Sequence, residues 1–238
     1  METKLKLNLA RIHWSLVLKA AFLAAVWLLL PGWIFLILSF YFYFVPIFHP
    51  WKLFFPFLIF IFLAFNGPAD ISFAVILALL FYIILGIKDL IFIDRRSAYD
   101  ILVLILIFLL DIWFFSNFGE SIGYPGLVSV FSLSAVLCLL YRGALSYGNP
   151  GWRAASGRRD NIAFGLAWLI ISQITLAVIF LPINFISQSA LVFFLSAVLL
   201  GLMPVYLGGA VTRRRILTNF SAAFVFLVVI LGLIQWGF

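Results

Sequence analysis

Half of the connections in this chain contain no cation, and lysine is absent altogether after Lys88. Only 10% of the 238 residues are charged. A water-soluble domain carries roughly 25%, so this chain cannot cover a water-facing surface, and a soluble globular fold is excluded. Cysteine occurs once, as Cys138 in an apolar run. That excludes an internal disulfide and a cysteine-based metal cluster, and leaves Cys138 as a small buried apolar residue. Histidine occurs twice, at His13 and His49, and no HExxH or histidine-rich motif can be assembled from the pair. Gly208-Gly209 is followed by no P-loop lysine. The lack of a late lysine also removes the Schiff-base residue that a rhodopsin-like reading would need.

What is present is apolar: 66% of the chain, with 29 Phe. Lipid is therefore expected to be the solvent for most of it. The 15 Lys and Arg residues fall in five clusters. These are Lys4, Lys6, Arg11 and Lys19; Lys52; Lys88, Arg95 and Arg96; Arg142, Arg153, Arg158 and Arg159; and Arg213, Arg214 and Arg215. The connections at 66–70, 118–124 and 182–187 contain none. This alternation is the positive-inside pattern, which sets orientation as well as class. The net charge of +7 is divided among short loops, which suits anionic headgroups and does not suit nucleic acid.

A spanning helix needs about 20 apolar residues. Five or six spans are placed directly, at 71–87, 97–116, 125–141, 162–181, 188–207 and 216–236. The stretch 15–65 is harder. Its N-terminal side is basic and its far connection, 66–70, is cation-free, so an odd number of crossings must lie between. Three short ones satisfy this, at 15–30, 33–48 and 53–65, turning at Pro31-Gly32 and at His49-Pro50, where Pro and Gly are natural punctuation. The expected fold is all-α and polytopic, a single transmembrane domain over 1–238 with nine spans, N-terminus inside and C-terminus outside. The competing arrangement has seven spans. It takes 5–19 as an interfacial helix, makes one Pro31-kinked span and adds a re-entrant segment around 46–65. Residues 4–30 have the order of a signal peptide, but Pro31-Gly32-Trp33 resumes an apolar run, so the first span is expected to remain as an anchor.

No enzymatic constellation emerges. Gly119-Glu120-Ser121-Ile122-Gly123 matches G-x-S-x-G, yet a serine nucleophile needs a base within reach. Both histidines fall on the opposite membrane face in this topology. No catalytic residue, cofactor site or metal site is assigned. Asp89 and Asp94 lie beside Lys88, Arg95 and Arg96, where local ion pairing is expected.

The most informative polar residue is Asp111, inside an apolar span. A carboxylate at a span centre costs roughly 2.5–3.5 kcal/mol on insertion scales, and the outer half provides no Lys, Arg or His to pair with it. It must be hydrated, be protonated, or hold a cation or a hydrogen-bond donor. Asn117, Gln173 and Asn184 are candidate companions in an intramembrane polar site. Ser172 and Thr175 flank Gln173 and are expected to bond between helices. The basic loop 142–161, with Arg153, Arg158 and Arg159, and the Arg213, Arg214 and Arg215 cluster are expected to contact lipid phosphates at the cytoplasmic face.

The chain is thus expected to be a non-enzymatic membrane component: a subunit, scaffold or assembly partner, with a membrane-protein partner or a second copy. The alternative is a small transporter with a proton- or cation-linked site at Asp111. The compact loops point to a prokaryotic plasma (inner) membrane.

Overall fold

The computed structural model describes residues 14–45, 50–89, 95–118, 124–148 and 158–207, with four isolated positions beyond them, Ser221, Val225, Val228 and Gly232. The described residues form eight helices and no strand: α1 (Trp14–Leu29), α2 (Gly32–Phe44), α3 (Pro50–Asn66), α4 (Ile71–Lys88), α5 (Arg95–Phe118), α6 (Tyr124–Gly148), α7 (Arg158–Ile179) and α8 (Phe185–Leu207). Five of these, α4 to α8, are long and apolar enough to cross a membrane, and α1 to α3 are shorter apolar helices. The protein is all-helical and has the build of a multi-pass membrane protein. The expected ninth span, 216–236, lies outside the described residues apart from the four isolated positions, which are helical.

The described helices divide into two compact units between Leu102 and Val103, within α5. In the first unit, α1 packs on α2 and α4, and α3 packs on α2 and α4, closing a ring of four. Ring contacts fix their directions. Phe22 meets Phe42 edge-on at 6.1 Å, so α1 and α2 fold back on each other about Pro31. Phe35 meets Phe65 at 6.3 Å, Phe40 meets Phe57 at 5.2 Å and Phe44 meets Phe54 at 6.5 Å. One number rises as the other falls, as antiparallel neighbours require. Trp27 meets Phe73 at 5.7 Å and donates from Nε1 to the Ala64 carbonyl at 2.8 Å, tying α1 to both α4 and α3.

Pro31 reverses the chain and does not merely kink one helix. It lacks an N–H and cannot continue α1. Its backbone is extended at φ −57° and ψ 144°, and its carbonyl accepts from Ile34 N at 3.0 Å to begin α2. Gly32 sits where a Cβ would come within 2.9 Å of the Phe65 ring, so the absent side chain admits the end of α3. The stretch 14–66 therefore holds three helices with two reversals, the arrangement that the charge pattern favours.

The turn between α3 and α4 shows the same economy. Gly67 N donates to the Leu63 carbonyl at 2.8 Å, and Asp70 N to the Pro68 carbonyl at 2.9 Å. Asp70 then caps α4, its Oδ1 accepting from Phe73 N at 2.7 Å; a carboxylate suits a helix N-terminus. A Cβ on Gly67 would run into the Phe73 ring and lie 2.9 Å from the Leu63 carbonyl oxygen. Gly67→Ala is expected to destabilise by about 1–3 kcal/mol through overpacking, read as a lower thermal midpoint in detergent. An unchanged midpoint would show that this turn is not held by its close contacts.

Helix α4 is apolar all round. Leu77, Phe81 and Ile84 are buried, while Ile71, Val75 and Leu79 are exposed at one-turn spacing, by 75%, 54% and 58%. A helix without a polar face is either enclosed by protein or solvated by lipid, and these exposed apolar positions suit a multi-pass membrane protein. Trp14, Trp33 and Trp51 are exposed at helix starts, the level at which amphipathic rings prefer to sit. Tyr99, also near a helix start, is buried instead. Inside the ring, Tyr43, Phe57, Phe60 and Phe81 form a continuous aromatic stack, with centroids 4.0, 6.2 and 5.5 Å apart.

The second unit contains the rest of α5 with α6, α7 and α8, and α7 packs on both α6 and α8. Trp168 Nε1 donates to the Phe131 carbonyl at 2.9 Å, joining α6 to α7. Helix α6 runs on to Gly148, two turns past the expected end at Tyr141. Ala144 and Leu145 continue its buried face, and Arg142 does not end the helix. Its guanidinium donates to Asn161 Oδ1 at 3.0 Å and lies over the Phe164 ring at 5.5 Å. The basic connection is shorter than 142–161 by those two turns at one end and by α7's first turn at the other. Cys138 is buried and free.

Candidate functional site

Asp111 lies on the buried stripe of α5, in helical register with Val103, Ile107 and Phe114, and is itself fully buried. Neither carboxyl oxygen has a hydrogen-bond partner among the described residues. One turn before it, Phe108 packs against Phe193 of α8 at 5.3 Å. Hydration at a shallow depth is therefore not what keeps this acid in place, nor is pairing with a described side chain.

The other buried polar groups of this unit are already engaged. Ser134 donates to the Val130 carbonyl at 2.9 Å, Ser172 to Trp168 at 2.8 Å and Thr175 to Ile171 at 2.9 Å. Ser189 donates to Phe185 at 2.7 Å and Ser196 to Phe193 at 2.9 Å. Each hydroxyl returns to a carbonyl three or four residues back on its own helix, a local satisfaction open to Ser and Thr in any helix. The expectation that Ser172 and Thr175 bond between helices is thus corrected.

The proposed companions of Asp111 do not join it. Asn117 is exposed and donates to the Trp113 carbonyl at 2.8 Å and to Ser116 Oγ at 3.2 Å. Asn184 starts α8, its Oδ1 accepting from Ser187 N at 2.8 Å, the role of an N-cap. Gln173 is exposed on the outward face of α7, whose neighbouring outward positions are Leu166, Leu169, Ile170 and Ala177. It has no hydrogen-bond partner among the described residues. The buried amide of the unit is Gln188, which the sequence marks only as the start of a span. Its Nε2 is shared among the carbonyls of Val178, Ile179 and Leu181 at 3.3, 3.5 and 3.3 Å, closing the end of α7.

A second buried charge lies in the first unit. Lys88, the last residue of α4, has a fully buried side chain. Its Nζ donates to the Tyr43 carbonyl at 2.7 Å, pairs with Asp89 Oδ1 at 3.1 Å and lies 5.7 Å from the Tyr43 ring centroid. The ion pair agrees with the local pairing expected from sequence. The carbonyl contact was not foreseen. Tyr43 is one residue from the end of α2, where carbonyls lack intrahelical donors; Lys88 supplies one from another helix. A signal was present: Leu77, Phe81, Ile84 and Lys88 share one 3.6-residue stripe, and its first three members are core.

Of the basic residues expected to meet headgroups, Arg153, Arg213, Arg214 and Arg215 lie outside the described residues, and Arg158 and Arg159 open α7. Among the described residues no group of three or more His, Cys, Asp or Glu could hold a metal ion. No protein-family model, curated protein or solved structure matches the chain.

Proposed function

We propose that the protein is a nine-span component of a prokaryotic plasma membrane, N-terminus inside and C-terminus outside, with no enzymatic chemistry of its own. It acts as a subunit or assembly partner, and a second copy is the partner its surface fits best. The observation that carries this is Gln173. The apolar span of α7 runs Asp160–Ile179, so Gln173 sits about 5 Å past its midpoint, well inside a hydrocarbon layer roughly 30 Å thick. An unpaired amide facing lipid is unfavourable, and interhelical hydrogen bonds relieve it. Because a glutamine amide is both donor and acceptor, two copies related by a two-fold axis satisfy each other at the same residue.

Orientation has its own support. Antiparallel α1 and α4 bring Lys19 and Lys88 to the same end of the first unit, as positive-inside placement requires.

The test is single-molecule photobleaching of labelled full-length protein in liposomes. Wild type is expected to bleach in more than one step, and Gln173→Leu to associate about 3- to 30-fold more weakly, the range for interhelical hydrogen bonds in membranes. Single-step bleaching of wild type in liposomes, together with monomer-sized migration from its own membrane, would sink the assembly reading.

A further inference from the structure

We infer that Asp111 is an intramembrane proton-binding site whose ligand is H⁺ and not a metal ion. The inference goes beyond the assembly reading and does not rest on it. Four states are open to a buried carboxyl: hydrated, hydrogen-bonded, bound to a cation, or protonated. Full burial removes the first. Neither oxygen has a partner among the described residues, which leaves the second without a donor there. Metal binding needs a shell of oxygens to replace water; Ca²⁺ and Mg²⁺ take six or more. Here Asp111 is the one acid in the outer half of its unit's described helices, and no metal-holding cluster exists among the described residues. A proton needs one oxygen and no shell.

The charged and titratable groups of the neighbouring helices lie elsewhere. On α6 they are Cys138, Tyr141, Arg142 and Tyr147; on α7, Arg158, Arg159 and Asp160; on α8, Tyr206. All belong to the half of their helix that leads to a basic connection. Tyr124 alone opens a helix at the cation-free end. Among the described residues Asp111 therefore has neither a base to receive its proton nor a cation to hold its charge in the resting arrangement. Exchange requires an opening of the unit that admits water to the carboxyl. Asp111 also occupies a packed apolar stripe where its polarity adds nothing to the core, so titration is the property that separates it from its neighbours.

Infrared difference spectroscopy on full-length protein in liposomes tests this directly. At neutral pH, wild type is expected to show a protonated-acid C=O band that Asp111→Asn lacks. The band should shift in D₂O, give way to carboxylate bands as pH rises, and ignore saturating Na⁺, K⁺ or Ca²⁺ at fixed pH. Asp111→Glu assigns the band independently by moving it, should the Asn variant fail to fold. Carboxylate bands at neutral pH, or bands that respond to one of those salts, would mean a cation site and overturn the proposal. An acid band that neither exchanges deuterium nor titrates would also overturn it, as an inert buried acid.

Discussion

Asp111→Leu is expected to make the protein more stable, by roughly 1–3 kcal/mol, the range for a buried polar group left without a partner. Most core substitutions destabilise, so the sign is what matters. The carboxyl is fully buried on the stripe of Val103, Ile107 and Phe114 and has no partner among the described residues. Leu returns apolar contacts to a site that is already apolar; its extra volume takes back part of the gain. Asp111→Asn gives the control. It keeps the size and polarity but introduces amide donors with nothing to receive them, so it should fall at or below wild type. Thermal unfolding in a mild detergent, followed by tryptophan fluorescence, measures both. A Leu variant less stable by more than about 1 kcal/mol would mean that the fold uses this acid through a partner, a size typical of one lost hydrogen bond. Taken with the infrared test, a Leu variant that is more stable and lacks the acid band would separate what the fold needs from what the residue does.

The helices are legible for reasons that also explain where expectation and structure part. Apolar run length and punctuation located α4, expected at 71–87 and found at Ile71–Lys88, and α8, expected at 188–207 and found at Phe185–Leu207. Charge parity calls for an odd number of crossings before Asn66, and the stretch holds three shorter apolar helices, α1 to α3. The same charge logic misplaced the end of α6. It took Arg142 as the boundary, whereas a long arginine can stay in a helix when its fork finds an acceptor, here Asn161.

Faces were harder to read than spans. In a soluble helix the polar stripe marks the outside. Helix α7 is apolar on both sides, so the sequence carries the depth of Gln173 and not its direction: the expected interior site is replaced by an exposed position. Asp111 could be singled out because a carboxylate is anomalous on either face. In the charge pattern Lys88 is a mark of sidedness, although its register with Leu77, Phe81 and Ile84 points it inward.

That register makes Lys88 the residue whose loss should hurt most. Lys88→Met keeps the length and apolar bulk of the side chain and removes only the charged donor. The Tyr43 carbonyl then loses the bond at 2.7 Å, and the Asp89 carboxylate, 12% exposed, loses its cation at 3.1 Å. Breaking a buried charged contact from one side costs more than the contact is worth, because the remaining group keeps its desolvation penalty. The expected loss is about 2–4 kcal/mol, between one charged hydrogen bond and a fully buried ion pair. Lys88→Met with Asp89→Asn should lose less than the two single variants added together, since the second change removes the stranded charge. Lys88→Arg should not restore stability: a planar fork replaces a compact ammonium in a closed site. The damage should be local at first. Backbone amides at the end of α2, Val45 N among them through its bond to the Tyr41 carbonyl, should exchange faster, while the turn at Asp70 at the far end keeps its protection. If Lys88 served only to mark the cytoplasmic side, Lys88→Met would stay within about 0.5 kcal/mol of wild type, as a surface substitution does. The remaining cations would still hold the orientation, so stability, and not topology, is the measurement that separates a helix tie from a topological signal.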